Sequence, residues 1–413
     1  MDIELQPAKL SGEVSIPSSK SYAHRALICA ALANGTSLID GIDISNDIEA
    51  TISAMESLGA KFNIKPNGSI LVNGIVQAPT IAKINCNESG STLRFIIPVA
   101  SALNVTSSFY GKGRLPERPI DIYTRELSKN GVLFDYNHTM PFTIKGQLKA
   151  GTYEIEGDVS SQFITGLLFA LPILSGDSVI KLKSVLESKP YVDITIDCLK
   201  KFGIEIEERE NEYFIKGNQR YLPFDLNIEG DFSQAAFFYV ANAFGSNVDL
   251  HNLNKNSVQG DKKILDIISD MCYNKNVHKL KSFHVDCSDI PDLVPILAVL
   301  GCFGSETSVV YNAKRLKIKE SNRLEAISIT LNKLGGKVSV TDDGLIIEPV
   351  DRFSGGTVDS FGDHRIVMSA SIAALKSDGN IIIKGAEAVE KSYPNFFRDY
   401  NNLGGKANVF NLE

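Results

Sequence analysis

Five times along this chain, a helically spaced run of apolar residues closes on a glycine and gives way to a strand-like stretch. The first copy runs Ile48, Ile52, Met55, Leu58-Gly59 into Lys61-Phe62-Asn63-Ile64, and the second runs Ile120, Tyr123, Leu127 into Gly131-Val132-Leu133-Phe134. The others turn at Phe202-Gly203, Leu334-Gly335 and Leu403-Gly404. Glycine takes without strain the left-handed conformation that ends a helix, so each junction predicts a helix that stops and a strand that begins. The glycines recur at intervals of about 70 residues, with one interval about double, which places a sixth copy lacking its glycine near Cys272 to Val277. Units of about 69 residues are too long for a solenoid and predict small βα modules gathered into two domains of three.

Lys+Arg 42 against Asp+Glu 49 leaves a net charge of −7. No overall positive field draws such a chain to nucleic acid or to an anionic membrane, so any anion it binds must be held by a local cluster. Cys29, Cys86, Cys198, Cys272, Cys287 and Cys302 form no C-x-x-C pair and lack histidines at zinc spacing, so reduced, mostly buried thiols and no metal site are expected. Met1 to Pro7 lacks the basic start and apolar core of a secretory signal, and the most apolar stretch, Leu293 to Phe303, is too short to span a bilayer. A cytoplasmic protein is expected.

A second kind of helix start carries polar side chains. Pro17-Ser18-Ser19-Lys20-Ser21 precedes an alanine-rich helix from Tyr22 to Leu32, with Arg25 one turn beyond Ser21 on the same face. Similar starts are Asn87-Glu88-Ser89-Gly90-Ser91-Thr92-Leu93-Arg94, Gly157-Asp158-Val159-Ser160-Ser161-Gln162-Phe163, Gly230-Asp231-Phe232-Ser233-Gln234 and Phe361-Gly362-Asp363-His364-Arg365. The first turn of a helix leaves backbone N–H groups unpaired and concentrates the positive end of the dipole. Taken singly, each start reads as a cap; several in one repeat protein argue that some converge on anionic ligands. None fits G-x-x-x-x-G-K-[ST], and no G-x-G-x-x-G opens a helix after a strand, which disfavours an ATP loop and a dinucleotide fold.

Further cations lie in Arg114-Leu115-Pro116-Glu117-Arg118-Pro119, in Lys317-Ile318-Lys319-Glu320-Ser321-Asn322-Arg323 and in Glu390-Lys391-Ser392-Tyr393-Pro394, each of which alone reads as a solvated charged face. Ile290-Pro291-Asp292 differs, because it sets a carboxylate beside an apolar helix. Desolvation there is expected to raise the pKa and suit Asp292 to proton transfer; a simple helix N-terminal acid is the alternative.

Taken in order, these segments resemble the enolpyruvylshikimate-phosphate synthase family, the 3-phosphoshikimate 1-carboxyvinyltransferases, along essentially the whole chain. The most specific parts are Ser160-Ser161-Gln162-Phe163, Ser188-Lys189-Pro190-Tyr191-Val192-Asp193-Ile194-Thr195, Ile318-Lys319-Glu320-Ser321-Asn322-Arg323-Leu324 and Asp363-His364-Arg365. The resemblance implies an α/β fold of two domains, each built of three βαβαββ units around inward helices, with the active site in the cleft between them. It implies that the chain passes between domains twice, giving one domain of residues 1–17 plus 228–413 and a second of residues 18–227.

The implied reaction moves the enolpyruvyl group of phosphoenolpyruvate onto the 5-hydroxyl of shikimate 3-phosphate through a tetrahedral intermediate, with no cofactor. By resemblance, Asp292 and Lys319 handle proton transfer around the 5-hydroxyl, and Glu320 exchanges the proton at the methylene carbon. Shikimate 3-phosphate is expected at Ser21, Arg25, Ser160, Ser161, Gln162, Ser188, Tyr191, Asp292 and Lys319. Phosphoenolpyruvate is expected at Lys20, Gly90, Arg118, Gln162, Arg323, Arg365 and Lys391. A monomer is expected, with these small molecules as its only partners. Three positions depart from the family pattern: Arg315 and Glu88 stand where asparagine is frequent, and Ser91 where threonine is usual. The contact of Arg315 stays unassigned, and Glu88 is expected to point away from the cleft. A related transferase acting on UDP-N-acetylglucosamine is the nearest rival, but Lys20-Ser21 replaces its typical Lys-Asn pair and Gly111 to Pro119 contains no cysteine. An inactive anion-binding relative is a second rival, opposed by the presence of Asp292, Lys319, Glu320 and Arg323 together.

Overall fold

In the computed structural model, which describes every residue except 67, 273–279 and 411–413, the repeat is visible as backbone geometry. Gly59, Gly131, Gly203, Gly335 and Gly404 take φ angles of 107°, 96°, 78°, 89° and 90°. Each follows a helix and precedes a strand, as the junctions predict. Most of the span proposed for the sixth copy, from residue 273 onward, lies outside the described residues.

The helices run in chain order as α1 (Lys20–Leu32), α2 (Asn46–Ser57), α3 (Gly90–Ala102), α4 (Asp121–Lys129), α5 (Ser161–Ala170) and α6 (Lys189–Lys201). They continue as α7 (Phe232–Ala243), α8 (Ile264–Cys272), α9 (Val294–Gly301), α10 (Arg323–Lys333), α11 (His364–Ala373) and α12 (Phe396–Asn402). Odd and even members differ in sequence and therefore in burial. The odd helices are apolar or small nearly all round, and α9 and α11 are buried at every residue. The even helices have one apolar face; α2, for example, buries Ile48, Ile52 and Met55 and leaves charged residues outward.

Among the described residues, five four-stranded sheets share one strand order: a parallel pair first, then two antiparallel neighbours. In Ile81–Asn85, Thr106–Tyr110, Phe142–Lys145 and Leu133–Asp135, for instance, Ile81 lies opposite Thr106, Ser107 opposite Ile144 and Leu133 opposite Lys145. Two of these sheets borrow a strand from far away in sequence. Asp2–Gln6 pairs antiparallel with both Ile381–Lys384 and Lys406–Phe410, and Leu226–Asn227 pairs parallel with Thr36–Asp40. Ser11–Ser15 likewise pairs parallel with Asn247–His251.

The chain accordingly forms two compact units: a middle unit, Ser18–Glu229, and a C-terminal unit, Gly230–Glu413 together with Met1–Pro17. Residues 228 and 229, expected with the C-terminal half, belong to the middle unit. Ile228 N–H donates to the Asp40 carbonyl at 2.9 Å, and the Glu229 carbonyl accepts from Ser19 N–H at 2.7 Å. Each unit has its own apolar core, one around α1, α3 and α5, the other around α7, α9 and α11. Cys29, Cys86, Cys198, Cys287 and Cys302 are buried thiols in these cores. No helix among the described residues is long and apolar enough to cross a membrane.

Candidate active site

All five polar helix starts are capped locally. Ser19, Ser89 and Ser160 accept from the N–H groups of Tyr22, Thr92 and Gln162, and Asp231 and Asp363 accept from those of Ser233 and Arg365. The capping reading is therefore correct for each, and the chemistry rests on the residues beside the caps.

In the C-terminal unit, the hub is Arg323 at the start of α10, with a side chain 2% exposed. Its Nη1 donates to Asp292 Oδ1 at 2.8 Å, its Nη2 to Glu320 Oε2 at 2.7 Å and its Nε to Asp363 Oδ2 at 2.7 Å. Arg365 approaches Asp292 from α11: Nη2 donates to Oδ2 at 2.9 Å and Nη1 to the backbone carbonyl at 3.0 Å. One carboxylate thus bridges two guanidinium groups, one oxygen to each, through charge-assisted hydrogen bonds. Asp363 is fully buried and does three jobs at once: it caps α11, pairs with Arg323, and accepts from Ser321 Oγ at 3.0 Å.

The electrostatics correct one expectation. Burial does act to raise the pKa of Asp292, but the charges of Arg365, Arg323 and Lys319 outweigh it and hold this carboxyl well below the usual range. Asp292 is an anion clamped by cations. Lys319, on the extended segment before α10, behaves in the opposite way. Burial pushes its amine down, Asp292 and Glu320 oppose that, and Arg323 and Arg315 add to it, leaving a pKa of about 8. Asp261 is buried nearby and is pushed up to about 7 by burial and by the charge of Asp292, so the site already resists a further ionised carboxylate. Arg315, whose contact the sequence leaves open, donates Nη2 to the Ser288 carbonyl. Lys391 donates to the Gly362 carbonyl at 2.7 Å, beside the Asp363 cap.

In the middle unit, Arg25 is buried in α1 and ties that helix to α6. Its Nε donates to Thr195 Oγ1 at 2.7 Å, Nη1 to the Ser21 carbonyl at 2.7 Å and Nη2 to the Tyr191 carbonyl at 2.9 Å. The guanidinium also lies over the Phe95 ring, 5.2 Å from its centroid. Ser188, immediately before α6, has a φ of 58°, a strained setting for a residue with a Cβ, and it is buried. Ser160 caps α5, Ser161 is its first residue, and Gln162 turns back to α3: Nε2 donates to Ser91 Oγ at 3.0 Å while Oε1 accepts from Arg94 Nη1 at 2.9 Å. Lys20 donates to Asp47 Oδ2 at 2.9 Å. The backbone of Gly90 lies directly beneath the Arg118 guanidinium.

Glu88 leans on the neighbouring loop, where an ideal Cβ built on Gly113 would fall 2.6 Å from Oε2. The residues that sequence reasoning left without a role are the counter-ions and supports: Asp47, Arg94, Thr195 and Asp363. A signal existed for Arg94, a charge in the otherwise apolar run of α3, and it is buried at 2% exposure. For Asp47 there was none, because its partner Lys20 lies on a different helix.

A family model described as EPSP synthase (3-phosphoshikimate 1-carboxyvinyltransferase) matches residues 5–400. The 3-phosphoshikimate 1-carboxyvinyltransferase of Clostridium kluyveri is 45% identical over 425 residues, covering 99% of each chain. That of Clostridioides difficile is 41% identical over 433 residues, again 99% of each. Among solved structures, an EPSP synthase from Acinetobacter baumannii superimposes with a TM-score of 0.83 at 25% identity, covering 99% of this chain and 100% of that one. The enolpyruvyl transferase NikO from Streptomyces tendae, 15% identical with a TM-score of 0.78 over 98% of each chain, shares the fold.

Proposed function

The chain belongs to the EPSP synthase family, and from that premise we propose how its residues divide the work. It is a transferase of the shikimate pathway that moves the enolpyruvyl group of phosphoenolpyruvate to the 5-hydroxyl of shikimate 3-phosphate and releases phosphate. Both substrates are polyanions, so binding falls to cations and helix N-termini.

Shikimate 3-phosphate is assigned Ser21, Arg25, Ser160, Ser161, Gln162, Ser188 and Tyr191 in the middle unit, with Asp292 and Lys319 at its reacting hydroxyl. Phosphoenolpyruvate is assigned Lys20, Gly90, Arg118 and Gln162, together with Arg323, Arg365 and Lys391. Three proton movements must then be served. The methylene carbon of phosphoenolpyruvate takes a proton from Glu320, which makes the central carbon electrophilic. The 5-hydroxyl gives its proton to Asp292 or Lys319 as its oxygen attacks that carbon. The tetrahedral adduct then expels phosphate, which carries away the proton held by Asp292 or Lys319, and returns a methyl proton to Glu320, restoring the double bond.

The observation that carries this reading is Lys319 at a pKa of about 8, beside an Asp292 clamped by two arginines. A lysine so lowered can both accept and return a proton near neutrality, and fixed cations stabilise the negative charge that develops on the substrates. The test is phosphate release from phosphoenolpyruvate with shikimate 3-phosphate as acceptor, run beside UDP-N-acetylglucosamine. Release with the first acceptor alone is expected; release with neither, from folded protein, would reject the assignment.

A monomer working in the cytoplasm completes the reading. The Sγ atoms of Cys29 and Cys198 lie 3.9 Å apart as thiols, an arrangement suited to a reducing compartment.

A further inference from the structure

Asp292 occupies the position that a bound carboxylate would be expected to take. Its two oxygens are divided between Arg323 Nη1 and Arg365 Nη2, at 2.8 and 2.9 Å, and its own backbone carbonyl engages Arg365 Nη1. The arginine side chains are 2% and 5% exposed, whereas that of Asp292 is 19% exposed. The aspartate therefore forms the solvent-facing cover of a guanidinium pair that is otherwise enclosed.

We propose that Asp292 is a resident stand-in for the substrate carboxylate: in the free protein it fills the fork between Arg323 and Arg365, and phosphoenolpyruvate binding displaces it towards the acceptor hydroxyl. This rests on the reading of those two arginines as phosphoenolpyruvate ligands.

Donor occupancy is the first support. Each nitrogen of Arg323 already donates to a carboxylate, Nε to Asp363, Nη1 to Asp292 and Nη2 to Glu320, and Arg365 Nη2 donates to Asp292. A further carboxylate placed among them, in a site largely shut from water, is unfavourable unless one resident anion moves out. The choice of which one moves is structural. Asp363 is fully buried, caps α11 and is tied to Ser321 as well as Arg323, so it is fixed. Glu320 reaches Arg323 through Nη2 and leaves the fork itself intact. Asp292 engages both arginines, and its removal opens both at once.

The chemical consequence is a base that is armed by its substrate. While clamped, Asp292 is a weak base because two guanidinium groups stabilise its anion. Once the substrate carboxylate takes those donors, the aspartate loses that stabilisation and its basicity rises at the moment when a proton must leave the 5-hydroxyl. A premature proton transfer without phosphoenolpyruvate is disfavoured by the same clamp.

The test is titration calorimetry of phosphoenolpyruvate alone into the full-length wild-type protein and into Asp292→Asn. Emptying the fork of its internal anion is expected to lower the dissociation constant about tenfold or more, while turnover with shikimate 3-phosphate is lost. Glu320→Gln removes a charge of the same sign and leaves the Asp292 bridge in place, so it is expected to tighten binding by less than about threefold. Unchanged or weaker binding by folded Asp292→Asn overturns the proposal, as does equal tightening by both variants. Should Asp292→Asn fail to fold, Asp292→Ser removes the same carboxylate and is read by the same criteria. Wild-type turnover separates the two levels: if it is present and binding does not tighten, the displacement idea fails alone; if it is absent with both substrates, the assignment of the arginines fails first.

Discussion

An ideal Cβ on Gly90 would lie 2.2 Å from Nη1 of Arg118, so the arginine occupies the space that any other residue at position 90 would need. Gly90 is the first residue of α3, with a backbone open to any residue type, and its role is to leave that space empty.

Gly90→Ala is therefore expected to leave the fold intact, since alanine favours a helix over glycine by up to about 1 kcal/mol. The added methyl pushes the Arg118 guanidinium off its seat. Steady-state kinetics should show the KM for phosphoenolpyruvate raised roughly tenfold or more, with a smaller change for shikimate 3-phosphate. Equal effects on both substrates would argue against this local cause.

Lys319 provides a pH signature. An amine with a pKa of about 8 is charged below that value and neutral above it. A neutral Lys319 can take up the proton that Asp292 removes from the 5-hydroxyl, so kcat/KM should rise with pH through about 8 and then level. Lys319→Arg stays charged across that range and should abolish the rise, with a rate loss of roughly 10²- to 10⁴-fold. A profile measured with both proteins checks the assignment.

Asp363→Ala should be the most damaging of these changes to stability. It leaves the enclosed Arg323 without its Nε partner and removes the cap of α11. Breaking a buried pair from one side costs about 3–5 kcal/mol, and chemical denaturation should show a loss of that order. Asp363→Asn keeps a capping oxygen and should recover part of it.

Arg25→Lys tests whether charge alone suffices in the middle unit. One guanidinium spans Thr195, Ser21 and Tyr191, and a lysine ammonium lacks the fork needed to reach all of them. The KM for shikimate 3-phosphate should rise about 10- to 100-fold, read by initial rates at saturating phosphoenolpyruvate.

Much of this was legible in the sequence, and the divide has a physical basis. A left-handed residue at the end of a helix leaves a glycine behind, so the repeat could be read from Gly59, Gly131, Gly203, Gly335 and Gly404. The Leu226–Asn227 strand is too short to carry a pattern, and the point where the chain leaves the middle unit was placed early for that reason. At the site, burial was visible in the apolar neighbours of Asp292, but the cations that reverse its effect arrive from Arg323 and Arg365, far away in sequence. Local chemistry shows through; the partners of a charge are set by folding.

The borrowed strands also impose a timetable on synthesis. Asp2–Gln6 leaves the ribosome long before its partners, Ile381–Lys384 and Lys406–Phe410, are made. The middle unit can close once Leu226–Asn227 has emerged beside Thr36–Asp40, while the Asp2–Gln6 strand must wait for partners made more than a whole unit later. A nascent chain halted after residue 229 would thus hold one finished unit and one stranded end, and that end is where a chaperone would be expected to engage.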